Sequence, residues 1–441
     1  MTATLIIRNG RVIDPVSHTN EIRDIAVQDG RIVDITAIDP AGADVIDADH
    51  CLVTPGWIDV HVHLRQPGMD YKETVDTGTA AAVAGGFVAV ACMPNTKPAL
   101  DSPEVLHSLA ADVEANGHCR VYPIATITRG REGHEDVDYD AVIAAGAIGW
   151  SDDGDSTPDS AIMRRALEAS KRLGKPVIVH CEDKAIAHGA MHEGDISRKL
   201  GIEGIPAAAE EIIIARDCML AELTGGWLHV CHVSTGRGIE IIQQSRERGA
   251  HVTAEVMPHH LVMSDEWVDG NREFHNTIEP AVERAGAADP NTKVNPPLRP
   301  VSDTQALLKA LQDGWFDCFG TDHAPHAESD KPADFAKAAM GMSGLEFAVP
   351  LTYALVRAGH LSEDELVRRW TVEPANIIGI PAPSLAVGEI ANITVIDPDR
   401  EWVVTPEILK TKSKNTALLG RTLRGRSILT IVDGEVQHRA E

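Results

Sequence analysis

The sequence predicts an α/β protein: a (β/α)8 barrel of TIM type carrying a small β-sandwich domain formed by both chain ends. Three observations predict it. Short apolar, β-branched runs alternate with helical stretches through the middle of the chain. Both ends are rich in short strands and tight turns, and polar residues able to bind metal recur at the C-terminal ends of the middle runs. At 441 residues the chain exceeds the usual size of one core. The expected division is a discontinuous sandwich, residues 1–54 and 385–441, around a barrel over 55–384, since chain ends commonly lie close together.

The N-terminal part alternates Leu5-Ile-Ile-Arg, Arg11-Val-Ile-Asp, Ile25-Ala-Val and Arg31-Ile-Val-Asp-Ile with turns at Asn9-Gly10 and Asp29-Gly30, a hairpin signature. The C-terminal end repeats the style in Ile390–Pro398, Glu401-Trp-Val-Val and Ser427–Val436. Between them the predicted strands are Trp57–Leu64, Phe87–Met93, Arg120–Ile127, Ala147–Ser151, Pro176–His180, Trp227–Val233, His251–Val256 and Asp317–Thr321. Helices are expected over Val75–Ala84, Pro103–Asn116, Ser160–Leu173, Ala207–Thr224, Gly238–Arg248 and Ser302–Asp313. Runs that are apolar throughout imply strands buried on both faces. A doubly wound open sheet is the alternative. The placement of the polar residues favours the closed barrel.

That placement begins at Trp57-Ile-Asp-Val-His-Val-His-Leu-Arg65. On a strand, alternate residues share a face, so His61 and His63 project together. Two imidazoles on one rigid edge can chelate a metal; two satisfied strand histidines are the plainer alternative. Later strand ends carry Met93-Pro-Asn95-Thr, Ser151-Asp-Asp153-Gly, His180-Cys-Glu182-Asp183, Cys231-His232, Pro258-His259-His260 and Gly320-Thr-Asp322-His323-Ala-Pro-His326. In a closed barrel these ends converge on the face where barrel active sites form. Imidazole and carboxylate donors without thiolate pairs suit zinc in an open site, where bound water ionises near neutral pH and attacks a carbonyl. Asp322 is then placed to take that water's proton and return it to a leaving nitrogen.

Composition narrows the partners. Lys plus Arg number 40 against 66 Asp plus Glu, a formal charge of −26, which disfavours nucleic acid and anionic membranes. The N-terminus lacks a secretory pattern, and no apolar run approaches the roughly 20 residues of a membrane span, so a cytoplasmic protein is expected. Seven cysteines without a Cys-x-x-Cys pair read as reduced, buried small side chains.

The motifs His61-Val-His-Leu-Arg65, Met-Pro-Asn95-Thr, Ser-Asp-Asp153-Gly, Asn295-Pro-Pro-Leu-Arg and Asp322-His-Ala-Pro-His326, with His180 and His232, resemble the bacterial class I dihydroorotases of the amidohydrolase superfamily. The resemblance runs over essentially the whole chain. It implies reversible cyclisation of N-carbamoyl-L-aspartate to dihydroorotate in pyrimidine synthesis, with one or two Zn2+ ions per subunit. By that resemblance His61 and His63 hold one metal and His180 and His232 a second. Asp153 bridges them, and Asp322 binds the first and serves as catalytic acid/base. Many relatives bridge with a carbamylated lysine, but Ala147-Ile-Gly-Trp-Ser-Asp-Asp-Gly has none, so a carboxylate must do it. Asp152 stays open as the alternative to Asp153. Association with aspartate transcarbamoylase and a homodimer are further expectations, and no residue pattern points to either.

Dihydroorotate carries a carboxylate, for which Arg65 offers a planar fork. His63, Asn95 and His326 stand beside it, and the match assigns Asn295 and the backbone around Met340-Gly341 to the ring amide. The class usually has Phe-Gly where this chain has Met-Gly. The alternatives are an ion-pairing Arg65 and a turn-forming Asn95. The polar stretch 327–337 reads as a lid, residues 264–293 as an enlarged loop, and His259, His260 and His323 as supporting residues. Rival functions are a dihydropyrimidinase, hydantoinase or allantoinase, or a non-catalytic scaffold. The missing lysine counts against the first group and the complete ligand set against the second.

Overall fold

The computed structural model describes residues 4–280 and 282–440. Seven short parallel strands organise its middle. Trp57–Val62, Phe87–Cys92 and Arg120–Pro123 pair in that order, as do Val177–Val179, Leu228–Val230, Val252–Val256 and Cys318–Phe319. Parallel bridges from Ala125 to Trp150 and from Trp150 to Val177 join the two groups on one side. A bridge from Val62 to His323 joins them on the other, so the pairing returns to its first strand. Strands inside such a ring have no solvent face, and the residues of Trp57–Val62 and Phe87–Cys92 are all buried.

Most of the predicted strands are shorter than expected, Arg120–Ile127 ending at Pro123 and Trp227–Val233 shrinking to Leu228–Val230, and for two others a local reason is visible. Across Ala147–Ser151 only Trp150 makes a bridge. Its neighbour begins at Pro176, which accepts from Trp150 N but has no N–H to extend the ladder. Asp317–Thr321 shrinks to Cys318–Phe319 because Thr321 N donates instead to the Asp59 side chain.

The helices follow the sequence closely. Pro103–Asn116 and Ser160–Leu173 have the predicted bounds, and Val75–Gly85, Ala208–Thr224, Gly236–Glu247 and Val301–Gln312 differ by one or two residues. Thr74, Asp159 and Thr235 cap three of them by accepting from Thr77 N, Ala161 N and Gly238 N. Trp370, from the helix Glu363–Trp370, stacks on Trp57 at 5.4 Å between ring centroids and abuts Phe87 at 5.2 Å. Trp57 and Phe87 open their strands, so aromatic rings close the end away from His61.

The chain ends build two further sheets. One orders Arg31–Val33, Ile25–Gln28, Leu5–Arg8 and Asp44–Asp47. The other orders Glu435–Arg439, Thr422–Val432, Ile393–Val403, Leu52–Pro55, Arg11–Asp14 and Thr19–Ile22. Leu5, Ile7, Val27, Val53, Ile393, Val395 and Ile431 share one apolar cluster, so both termini bury their surface together. Leu52–Pro55 pairs with Ile393–Ile396 and runs directly into Trp57–Val62, anchoring the histidine strand at its start. No helix among the described residues is long and apolar enough to cross a membrane.

Candidate metal centre and the cavity above it

His61 and His63 leave the first strand on one face, as the pleat requires, with ring centroids 5.4 Å apart. Asp59 ties this strand to the last one. Its carboxylate accepts from His61 N at 3.0 Å, Thr321 N at 3.1 Å and Thr321 Oγ1 at 2.5 Å. Three residues of the site, Arg65 (φ 62°), His232 (φ 34°) and Asp322 (φ 46°), have left-handed backbone that side chains other than glycine rarely adopt. Such conformations cost about 1–3 kcal/mol each and persist where surrounding structure holds them.

The six predicted donors converge. Asp153 Oδ1 lies 3.7 Å from His61 Nε2, 3.8 Å from His180 Nδ1 and 3.7 Å from His232 Nε2. Asp322 Oδ1 lies 3.5 Å from His61 Nε2 and 3.1 Å from His63 Nε2, and Asp153 Oδ2 lies 3.5 Å from His63 Nε2. His180 sits at the edge of this group, its Nδ1 within 2.9 Å of His232 Nε2. Adjacent Asp152 is used differently. It accepts from Ile127 N, Thr128 N, Thr128 Oγ1 and Thr157 Oγ1, which consumes its carboxylate in holding a loop.

The donor set fits a divalent cation. His61 Nε2 and Asp153 Oδ1 are buried and have no hydrogen-bond partner among the described residues, a costly arrangement for polar atoms. Their separation is too long for a hydrogen bond and close to the about 3.3 Å expected between ligands of a tetrahedral ion held at about 2.0 Å. Two triads place one atom from each member together: His61 with Asp153 and His232, and His61 with His63 and Asp322. Two other groupings, His61 with Cys231 and Glu255, and His229 with Glu255 and Cys318, are poor candidates. Burial pushes both thiols upward, and Glu255, common to both groupings, is already engaged by His61 Nδ1 and His232 N.

Electrostatics agree. Burial alone would raise the Asp153 and Asp322 carboxyls, but the surrounding imidazoles outweigh it and hold both well below the usual carboxylate range. His61 moves upward against its own burial because Glu255, Asp322 and Asp153 face it. In this cage a positive charge is strongly favoured.

Supporting residues fix the rings. His63 Nδ1 lies 2.8 Å from Asn95 Oδ1, which makes Nδ1 the donor and leaves Nε2 facing the carboxylates. Glu255, at the end of a buried strand, holds His61 Nδ1 at 2.6 Å and also accepts from His232 N at 3.2 Å. The sequence reading missed Glu255, although a carboxylate in the apolar run Val252–Val256 was a legible signal. Arg299 was also missed. It donates to Glu210 and Ser234 Oγ while Glu210 accepts from Ser234 N and Thr235 N, which pins the chain just after His232. His260 Nε2 contacts Pro296 O, and His323 Nδ1 accepts from Gly344 N. His259 is buried in contact with His260, its ring centroid 4.4 Å away, and burial pushes it down to about 4.

The donors open onto a cavity of about 280 Å³. Its walls bring together His63, Arg65, Asn95, Asn295, His326, Met340 and Gly341, with Asp153 and Asp322 at its floor. Arg65 Nε donates to Pro325 O, and its Nη2 lies 3.4 Å from His326 Nε2. Burial lowers Arg65 to about 10, which leaves it protonated at neutral pH. Asn295 Nδ2 lies 3.3 Å from His180 Nε2 and 3.4 Å from Glu182. A side chain at Gly341 (φ 131°) would strike Ala324 Cβ at 2.7 Å, so only glycine allows this backbone to edge the cavity. Asn415 went unforeseen. From the connection between Ile393–Val403 and Thr422–Val432, it donates to Ala324 O and Gly341 O and accepts from His326 N.

A partly open imidazole–carboxylate cage beneath a polar cavity, at the ends of parallel strands, is the arrangement of metal-dependent hydrolases. The family described as Dihydro-orotase-like matches residues 50–237. A dihydroorotase of Anaeromyxobacter dehalogenans is 44% identical over 444 residues, covering 100% of this chain and 99% of its own. Those of Pelotomaculum thermopropionicum and Aquifex aeolicus are 45% and 42% identical, with 98% and 99% of each chain covered. Among solved structures, an L-hydantoinase (dihydropyrimidinase) of Arthrobacter aurescens shares the fold. It has a TM-score of 0.83 and 24% identity, covering 99% of this chain and 96% of the other. The chain belongs to the dihydroorotase family.

Proposed function

We propose that the protein catalyses reversible hydrolysis of (S)-dihydroorotate to N-carbamoyl-L-aspartate, a step of pyrimidine synthesis. One observation carries the reading: Arg65 and the Asp322 carboxylate line the same 280 Å³ cavity, so one small molecule can meet a carboxylate-binding fork and the metal donors together. Family membership supports it. The fold is read as a (β/α)8 barrel, residues 55–384, with a sandwich from 1–54 and 385–441. Support comes from the parallel pairing that returns to Val62 and from the apolar cluster shared by the chain ends.

His61, His63, Asp153, His180, His232 and Asp322 are the residues that would hold zinc, with Asp153 between the two histidine pairs. When bound, zinc acts as a Lewis acid, polarising a carbonyl and lowering the pKa of water. Arg65 takes the substrate carboxylate as a bidentate partner, aided by the Asn95 amide and His326. Asn295 and the backbone at Met340-Gly341 address the ring amide. Asp322 Oδ1 accepts a proton from the attacking water and passes it to the ring nitrogen as the amide bond breaks; in the cyclising direction the same oxygen works in reverse.

Turnover of N-carbamoyl-L-aspartate by zinc-loaded protein tests the reading, with dihydrouracil, which lacks the carboxylate, as comparator. Cyclisation of the first and little action on the second is expected. No turnover of dihydroorotate or carbamoyl-aspartate in either direction overturns it.

A further inference from the structure

Beside the catalytic cavity lies a larger one of about 710 Å³, and His326 lines both. Tyr71, Glu328, Lys331, Lys412 and Lys414 line the outer cavity. In a chain with formal charge −26, three lysines around one hollow against a single lining carboxylate are a local reversal of sign. Among the described residues none of the three makes a salt bridge, although Asp289 acts on Lys331 and Glu346 and Glu73 act on Lys414 from farther away. Lys331 Nζ donates to Pro290 O and Lys293 O, each at 3.1 Å. Lys412 Nζ donates to Asp70 O, and Lys414 Nζ to Leu409 O and Thr411 O. Neutral carbonyls fix the direction of each side-chain amine, so the hollow keeps an excess of positive charge over the acids near it.

We propose that the outer cavity is a second anion-binding site, a station where a carboxylate-bearing substrate of the catalytic site is held before it passes His326. This rests on the reading above for the identity of the substrate, not for the existence of the site. His326 suits the passage between the two. Its Nε2 lies 3.4 Å from Arg65 Nη2 and its Nδ1 3.3 Å from Lys72 Nζ. A neutral imidazole has one acceptor nitrogen for these two cationic donors; Asp330 Oδ2, 3.2 Å from Lys72 Nζ and 3.8 Å from His326 Nδ1, offsets the Lys72 side, and the Arg65 side is the one an incoming anion would complete. Burial and Lys293 lower Lys331 to about 7, and an anion beside it would restore its charge. A cationic hollow with low-dielectric walls concentrates anions and speeds their capture, most strongly at low salt.

The test compares wild type with Lys331→Gln/Lys412→Gln and, as a safeguard on folding, with the exposed single change Lys412→Glu. Over rising ionic strength, kcat/KM for N-carbamoyl-L-aspartate should fall for wild type. The variants should start about 10-fold lower, vary little with salt, and meet wild type at high salt. Parallel salt curves for variants and wild type overturn the proposal. Calorimetric titration of the same proteins with succinate gives an answer that does not need turnover. Loss of one succinate equivalent in the variants supports the outer site even if the substrate proves to be another anion. Equal stoichiometry and affinity overturn it.

Discussion

The floor of the site and its mouth are built by different means. The floor donors His61, His180 and His232 lie within, or one to two residues beyond, parallel strands, where backbone pairing fixes their positions closely. The mouth is assembled from loops: Arg65, Asn295, His326 and Gly341 lie in irregular segments, and the two that carry His326 and Gly341 meet at the side chain of Asn415. Charge at the floor should therefore govern metal retention, and hydrogen bonds at the mouth should govern substrate affinity. The two should separate experimentally.

The largest expected effect is at the floor. His61→Ala removes one of the two imidazoles that face both Asp153 and Asp322 and leaves only His63 between them, and zinc content by elemental analysis should drop before any kinetic measurement is meaningful. Asp322→Asn should behave differently, because an amide still offers an oxygen to a cation but cannot accept a proton. Zinc should be partly retained while kcat falls by about 10²- to 10⁴-fold. Activity of Asp322→Asn equal to wild type would refute its proton-transfer role.

Next is Glu255→Gln. Glu255 touches no substrate, yet it holds His61 Nδ1 and receives His232 N, one residue from each side of Asp153. Replacing its charge with an amide should weaken zinc binding by about 10- to 100-fold, read by competition with a chelator. KM at saturating zinc should barely change. A raised KM with normal zinc affinity would erase the distinction between floor and mouth.

Legibility in the sequence follows the same division. His61 and His63 were readable because period-two geometry is set by the strand alone, and helix bounds such as Ser160–Leu173 because caps and apolar spacing are local. Glu255 was readable in principle, as a charge in an apolar run. Asn415 was not: its role arises from loops 74 to 91 residues away, and an asparagine in a polar stretch carries no mark of that. Nor did the sequence separate Asp152 from Asp153. Opposite orientation along a strand says that they differ, but only the loop at Ile127-Thr128 shows which one is consumed by hydrogen bonds.

At the mouth, Arg65→Lys keeps the charge and loses the planar fork. Loss of one charge-assisted hydrogen bond, about 1.5–3 kcal/mol, corresponds to a KM for N-carbamoyl-L-aspartate raised roughly 10- to 100-fold. Zinc content should be unaltered.

The smallest effect, and the sharpest test of the division, is Asn415→Ala. The change removes two donated bonds, to Ala324 O and Gly341 O at 3.1 Å each, and the acceptor for His326 N at 2.9 Å. A typical bond of this kind contributes about 1 kcal/mol net, and buried groups left unpaired cost more. The segments carrying His326 and Gly341 should loosen together, and KM should rise several-fold while zinc content and its chelator resistance stay at wild-type levels. Asn415→Asp retains the acceptor for His326 N but not the donors, and should fall between the two. If Asn415→Ala instead lost zinc, the last strand would be positioned from the mouth inward, and floor and mouth would be one cooperative unit.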